Sequence, residues 1–412
     1  MSDVTSIKEI KVGLKLTEDI LPVGRLALRD GVIYFEYDAA FLERNLPLSP
    51  FRLPLQSGVQ KFDYHLFEGL PGVFNDSLPD GWGRLLFDRF IRSKGLLPSD
   101  ITPLDRLAHV GMHALGALVY APDHSAEETH EPVHLDVLAR QARDVLEGDA
   151  DDVLKELIAL NGSSGGARPK ALIGVDDDFE QIIHGAHDLS AGYTPWMVKF
   201  ANSEDGADAG AIEYVYALMA TQAGINMSRA HLFKAQTGAG YFAIQRFDRQ
   251  GSKRLHMHTA CGLLHSDYRT PSLDYEDLAS LTLSLTRDVR EVEKLYQLAV
   301  FNVLAHNRDD HSKNFSFLMD ETGEWKLSPA YDLTFSSGPR GEQSTMVMGE
   351  GRDPSLSHLR ALAKEAQIDS ARAEEIIHQT LEALSHWEEL ASQYGVSAAN
   401  IKLIRSKMRE SD

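Results

Sequence analysis

The stretch HNRDDHSKNF, His306 to Phe315, decides how this chain is read. It crowds ionisable side chains into a short segment between an apolar-faced helix pattern, EVEKLYQLAVFNVLA, and a strand pattern, NFSFLM. A polar loop clamped between two core elements is better suited to chemistry than to mere connection. Asp309 and Asn314 stand five residues apart. Phosphoryl-transfer catalytic loops use that interval for a carboxylate that handles a hydroxyl proton and an amide that binds Mg²⁺. Lys313 lies between them and can neutralise charge on a transferred phosphoryl group, and His311 shares the segment. A metal cluster of His306, Asp309, Asp310 and His311 matches no zinc-ligand spacing.

Phosphoryl transfer also needs backbone donors over the phosphates, a lysine on them, a carboxylate holding that lysine, and a further metal ligand. Downstream, SPAYDLTFSS sets Asp332 eighteen residues after Asn314, across a hairpin turning at Thr322-Gly323. In isolation Asp332 reads as a turn or N-cap residue. Upstream, GSSGGARPK (Gly162 to Lys170) supplies Gly165 and Gly166, which permit positive φ and close approach to an anion. Ser163 and Ser164 add hydroxyls, and Ala167 and Lys170 close the loop. Alone, such a loop is a weak signal. Lys199 ends the apolar run WMVKF, and Glu213 follows fourteen residues later in the expected first turn of a helix over Ala211–Ala223. That order matches the lysine–glutamate pair that orients a phosphate-binding lysine. Separately, Lys199 reads as a snorkelling edge lysine and Glu213 as an acid favoured by the helix dipole. Together and in sequence, the four segments make phosphoryl transfer the better reading.

The remaining chain sets the frame. Arg25 to Tyr37 reads as a hairpin around Asp30-Gly31, and GALVY (Gly116–Tyr120) as a buried strand. Pro122 to Pro132 reads as a surface linker, and Leu135 to Leu160 as two helices. ALIGV, WMVKF and YFAIQRF follow as strands, with Asp176–Asp178 as a hairpin tip; after Ser272 the chain is mostly helical. The fold class is α+β, with parts at 1–121, 135–250 and 251–412. The formal charge of −20 argues against broad direct nucleic-acid binding, although a few placed cations can set a local field against the global one. No run of eighteen apolar residues predicts a membrane helix, and MSDVTSIKEIKVG lacks a secretory pattern. Cys261 is the single cysteine, which excludes an internal disulfide and fits a cytoplasmic location. It reads as a core residue, and Trp82 as packing for the N-terminal part. His184 with His187, and His256 with His258, sit in surface-looking segments and read as satisfied or solvated.

These motifs resemble the HipA family, the kinase toxins of bacterial HipBA modules. NRDDHSKNFS resembles the family's catalytic loop, LSPAYDLT its metal-binding turn and GSSGGARPKA its glycine-rich loop. FNDSLPDGWGR is similar to its N-terminal motif, and TMVMGEGRDPSLSHLRALAKEAQI to its C-terminal helical signature. The resemblance implies a divergent protein-kinase-like fold with a small strand-rich N-terminal domain and a helical C-terminal lobe. It implies ATP and Mg²⁺ as cofactors, Asp309 as catalytic base, Asn314 and Asp332 as metal ligands, and Lys199 on the phosphates. His311 and Lys313 would line the phosphate side. The backbone of Gln245 and Phe247 would meet adenine, Asp248 the ribose, and Tyr331 would flank the base. It further implies a protein substrate, autophosphorylation at Ser163 or its neighbour Ser164, and a small helix-turn-helix antitoxin through which DNA is bound. Two other functions share the core motifs: a kinase-fold phosphotransferase acting on a small molecule, and a non-catalytic ATP-binding or repressor-scaffold protein.

Overall fold

In the computed structural model, which describes residues 6–409 except 63–64, 126–130, 149–153, 164, 186–187, 203–204 and 271, apolar alternation builds the first sheet. In β1 (Glu9–Leu14) Ile10, Val12 and Leu14 are buried, while Glu9 and Lys11 are exposed. β2 (Leu21–Arg29) and β3 (Val32–Tyr37) meet through Asp30 and Gly31, both with positive φ (52° and 75°), as a tight two-residue hairpin requires. α1 (Ala39–Arg44), β4 (Val59–Phe62), α2 (Gly72–Asn75), α3 (Gly81–Ser93), α4 (Pro103–Val110) and β5 (Leu118–Ala121) complete this region. α4 starts where Thr102 and Asp105 form a reciprocal capping box with Pro103 behind it. The antiparallel sheet runs β4-β3-β2-β1-β5.

α5 (Leu135–Glu147) and α6 (Leu154–Asn161) precede β6 (Lys170–Asp176), β7 (Ile182–His184) and β8 (Tyr193–Lys199). α7 (Ala209–Gln222) then leads to β9 (Ala230–Phe233) and β10 (Tyr241–Gln245), and the second sheet runs β7-β6-β8-β10-β9. Its register sets Lys170 directly opposite Lys199. Trp82 and Leu86 of α3 pack here, with Leu138, Val145, Leu160, Ile173 and Trp196. The expectation that Trp82 packs the N-terminal part is thereby corrected: α3 turns its apolar stripe toward the second sheet.

Two short strands, β11 (Arg249–Gln250) and β12 (Lys253–Arg254), lead into β13 (His256–Thr259) and α8 (Ala260–Leu264). α9 (Tyr275–Thr286) and α10 (Val289–Leu304) follow, then β14 (Ser316–Met319) and β15 (Trp325–Leu327), which form the sheet β13-β14-β15. Every residue of α10 from Leu295 to Leu304 is buried, so this helix runs through the interior rather than over it. α11 (Leu356–Glu365), α12 (Ser370–Ser385), α13 (Trp387–Gln393) and α14 (Ala398–Arg405) close the chain. One apolar core runs unbroken from Phe35 and Phe41 through Tyr216 and Phe301 to Trp387. Each sheet lies within one stretch of sequence, but the hydrophobic packing does not divide along those stretches. Among the described residues no helix is long and apolar enough to cross a membrane.

The N-terminal region is tied to β13 by a buried polar seam. Asp76 Oδ2 lies 2.6 Å from His258 Nδ1 and accepts from Thr259 N at 2.7 Å, and its Oδ1 accepts from Thr259 Oγ1 at 2.8 Å. His258 Nε2 lies 2.9 Å from Ser49 Oγ. The Ser–His–Asp order is that of a hydrolase triad, but Ser49 and His258 are fully buried and no substrate can reach the hydroxyl. His256, also fully buried, lies 2.9 Å from the Leu48 carbonyl oxygen, and burial pushes its pKa down to about 3. The surface reading of this histidine pair is therefore corrected. In a strand, residues two apart share a face, and here that face is the core. His184 is buried as well, while His187 lies outside the described residues. Asp76→Ala strands the buried Thr259 N–H and His258 ring, and is expected to cost about 2–4 kcal/mol. The urea midpoint should fall accordingly, and an unchanged midpoint would refute the seam.

Candidate active site

A cleft of about 680 Å³ opens between the second sheet and the helical part. It is lined by the glycine-rich loop, Lys170 and Lys199, the segment Gln245–Asp248, the loop from Asp309 to Asn314, and the turn at Tyr331–Asp332. Ser163, Gly165, Gly166, Ala167, Phe247, His311 and Lys313 all reach it. Ser164 lies outside the described residues. Glu213 stands behind Lys199 rather than on the cleft wall.

Lys199 is the centre of the site. Its ammonium lies 2.5 Å from Glu213 Oε1 and 2.5 Å from Asp332 Oδ1, with only 9% of the side chain exposed. Burial opposes its charge, but Asp332 and Glu213 more than reverse that and hold the pKa above the usual lysine range. Burial likewise opposes ionisation of Asp332, and Lys199 and Lys170 hold it well below the carboxylate range. Asp332 adopts φ 58°, a left-handed conformation that turns its carboxylate into the cleft at some backbone cost. Glu213 lies in the second turn of α7, because the helix begins at Ala209 rather than Ala211; the first-turn dipole account does not apply to it. Glu213 also accepts from Arg168 Nη1 at 3.2 Å, and Arg168 is fixed by Asp205 at 3.0 Å. Arg168 has no expected role from the sequence, where its signal is a second basic residue beside Lys170 and the loop glycines.

α10 delivers the loop from His306 to Phe315. After Leu304 the chain leaves the helix through His306 at φ 57°, whose ring stacks on Phe335. Two adjacent aspartates then part company. Asp309 is exposed to the cleft, and its pKa is raised by the partial loss of water around it there and by the nearby Asp332. Asp310 points into the core and accepts from Tyr275 Oη at 2.7 Å, Ser344 N at 3.0 Å and Thr345 N at 3.2 Å, while burial pushes its pKa up to about 6. Asn314 Nδ2 donates to the Asp309 carbonyl at 2.7 Å, closing the loop on itself. Tyr331 Oη donates to the Lys313 carbonyl at 2.6 Å, and its ring tilts against Phe247 with centroids 5.6 Å apart. His311 packs its ring 5.2 Å from Tyr268.

Two residues expected at the nucleotide are already engaged. The Asp248 carboxylate accepts from Arg246 at 2.8 Å, Arg249 at 2.7 Å and Gly116 N at 2.7 Å, with 2% of the residue exposed. These bonds fix the segment Gln245–Asp248 where it lines the cleft. Ser163 is 1% exposed, and its Oγ accepts from Leu115 N at 2.6 Å. Cys261 is buried with its thiol pushed up to about 12, chiefly by burial, so it is no nucleophile. Among the described residues no three His, Cys, Asp or Glu side chains converge to hold a metal by themselves. The candidate ligands are one carboxylate and one amide oxygen, hard donors that suit Mg²⁺ once phosphate oxygens and water complete its shell.

Residues 162–387 match the model of the HipA-like C-terminal domain, and residues 17–121 that of the HipA N-terminal domain. The chain belongs to the HipA family. A relative in Sinorhizobium fredii, strain NBRC 101917 / NGR234, carries the name "Putative kinase Y4mE"; it is 26% identical over 90% of this chain and 91% of its own length. HipA of Shewanella oneidensis MR-1, solved in complex with HipB and operator DNA, aligns over 96% of this chain and 95% of that one, with a TM-score of 0.68 at 15% identity. At that identity the likeness establishes the HipA fold, mixed helix and sheet with a strand-rich N-terminal region and a helical C-terminal part.

The cross-strand pair of Lys170 and Lys199 has a consequence for pH. Burial and the neighbouring Lys199 push the Lys170 pKa from 10.5 down to about 8. The unfolded chain therefore binds more protons than the folded one between about 8 and 10.5, and this group adds stability as pH rises through that window. A polyphosphate at the lysine would favour the charged form again. Near pH 8, binding of a polyphosphate at Lys170 should take up a proton, seen in calorimetry with ATP as a heat that varies with buffer ionisation enthalpy and disappears in Lys170→Met. A buffer-independent heat in the native protein would exclude it.

Proposed function

We propose that the protein is an ATP- and Mg²⁺-dependent serine/threonine protein kinase of the HipA toxin type. The observation that carries this reading is the buried Lys199, held between Glu213 and Asp332 in a cleft that also presents Asp309 and Asn314. A cation fixed from both sides cannot swing away, so an incoming polyphosphate meets it pre-oriented. Lys170 and the glycine-rich loop face the same end of the cleft. The purine would lie against the backbone of Gln245 and Phe247, with Tyr331 at its flank.

In the transfer step the acceptor hydroxyl oxygen bonds to the γ-phosphorus and the bond to the β–γ bridging oxygen breaks, releasing ADP. Asp309 takes the hydroxyl proton; its raised pKa brings it nearer to the range of a useful base. Lys199 and Lys170 offset the charge of the phosphates. Asn314 and Asp332 would hold Mg²⁺, which would supply charge neutralisation at the transferred group. Lys199 would then share Asp332 with the metal while Glu213 keeps the ammonium in place.

The substrate in this reading is a serine or threonine of a protein, and the enzyme's own glycine-rich loop is one candidate. Ser163 is enclosed beneath Leu115, so modification there would require the loop to leave the cleft. A phosphate dianion would then compete with ATP for the loop amides. The S. oneidensis complex with HipB and operator DNA supports a small DNA-binding antitoxin as partner. The acidic chain would then reach DNA mainly through that partner.

Asp309→Gln is expected to lower phosphate incorporation about 100-fold or more, with thermal unfolding near that of the native protein. Mass spectrometry of the Gly162–Lys170 peptide and transfer of labelled phosphate to protein acceptors measure this. Undiminished incorporation would contradict the role of Asp309. Asp332→Ala should abolish the Mg²⁺ dependence of nucleotide binding, and unchanged MgATP affinity by calorimetry would count against the metal assignment.

A further inference from the structure

Asp80 precedes α3, where an aspartate normally caps its own helix by accepting a hydrogen bond from the first turn. Here the side chain makes no capping bond. Its two oxygens serve other elements instead. Oδ1 accepts from the backbone N–H of Gly166 in the glycine-rich loop, and Oδ2 accepts from Lys313 Nζ in the catalytic loop at 2.5 Å. The residue is 7% exposed and lines the cleft, as do both partners.

The neighbours of Asp80 deepen the contact. Trp82 N donates to the Gly166 carbonyl at 3.0 Å, so both backbone groups of Gly166 are held by residues flanking Gly81. Gly81 has φ 45°, and a Cβ placed there would collide with the Gly166 carbonyl. A Cβ on Gly165 would press within 2.9 Å of Asp80 Oδ1. Backbone thus meets backbone with no room for side chains, and Gly166 is fixed at φ 96°.

We infer that Asp80 is a positioning residue of the nucleotide site, setting the glycine-rich loop and Lys313 against each other across its phosphate end. This rests on the phosphotransferase reading above. The charge arrangement gives the physical need. Lys313 stands four residues from Asp309 and next to Asn314. Without Asp80 its buried ammonium would lose the one carboxylate that is in contact with it among the described residues. Asp80 fixes it at the wall of the cleft while the Tyr268 ring covers it, 4.9 Å from the ammonium. A residue far from the kinase-like motifs therefore sets the spacing between the loop over the phosphates and the loop beneath them.

Asp80→Asn keeps an acceptor for Gly166 and removes the charge that anchors Lys313. It should raise both the Kd for MgATP and the KM for ATP about tenfold or more, the loss of one hydrogen bond to a charged group. The double variant with Lys313→Gln should bind no worse than Lys313→Gln alone, since each removes the same contact. A residue needed only for folding would lower Tm without this non-additivity. Gly81→Ala is the second probe: it retains the carboxylate, forces α3 away from Gly166, and should weaken MgATP in the same direction. If Asp80→Asn does not fold, Gly81→Ala decides. MgATP affinity within twofold of native in the folded variants, with the native protein binding normally, overturns the inference and leaves the kinase reading intact. Native protein that binds no MgATP overturns both.

Discussion

A lysine ammonium removed from water must have anions around it, and Lys199 has two. Glu213 reaches it from α7 and Asp332 from the turn after β15, so a strand, a helix and a distant turn are joined at one nitrogen. Removing one partner of a buried pair leaves an uncompensated charge, a loss of about 3–5 kcal/mol in comparable cases. This ion pair links the second sheet to the helical part beside the apolar packing of α7 on α12 and α13. The left-handed backbone at Asp332 is tolerated because the ion pair and the neighbouring Tyr331 hydrogen bond hold the turn from both sides.

The same constraint explains how an acidic protein builds a cationic cleft. The chain carries a formal charge of −20, yet Arg168, Lys170, Lys199 and Lys313 converge on one end of the cleft. Like charges facing each other across β6 and β8 are unfavourable without an anion between them. The fold tolerates them by distributing carboxylates: Glu213 and Asp332 serve Lys199, Asp205 serves Arg168, and Asp80 serves Lys313. Asp309 is left facing the cleft, while Asp310, its immediate neighbour, is spent on anchoring residues 344–345. Adjacent residues of identical chemistry thus divide between cleft and core.

The strand-rich N-terminal region takes part in the site rather than hanging beside it. Trp82 enters the core of the second sheet, Asp76 ties into β13, Leu115 caps Ser163, and Gly116 joins the segment Gln245–Asp248 through Asp248. The uninterrupted core from Phe35 to Trp387 makes the same point in apolar terms. A chain whose sequence reads as three consecutive parts packs as an interwoven body.

Local features were legible without coordinates. Alternation and helical periodicity marked the strands and helices, and the order of glycine-rich loop, lysine, glutamate, Asp-x4-Asn and later aspartate marked the cleft, because these patterns depend on near neighbours in the chain. Misreadings arose where the deciding contact is remote. The histidines of β13 looked superficial because a strand pattern does not say which face is covered. The anchoring of Asp248 to Gly116, 132 residues away, could not be read from the sequence. Asp80 escaped notice because its significance lies in Lys313, 233 residues further on. Sequence alone determined which residue types this protein can bring to the cleft. Only the tertiary structure decided which carboxylate faces which cation, because that choice is made by packing between segments that share no local pattern.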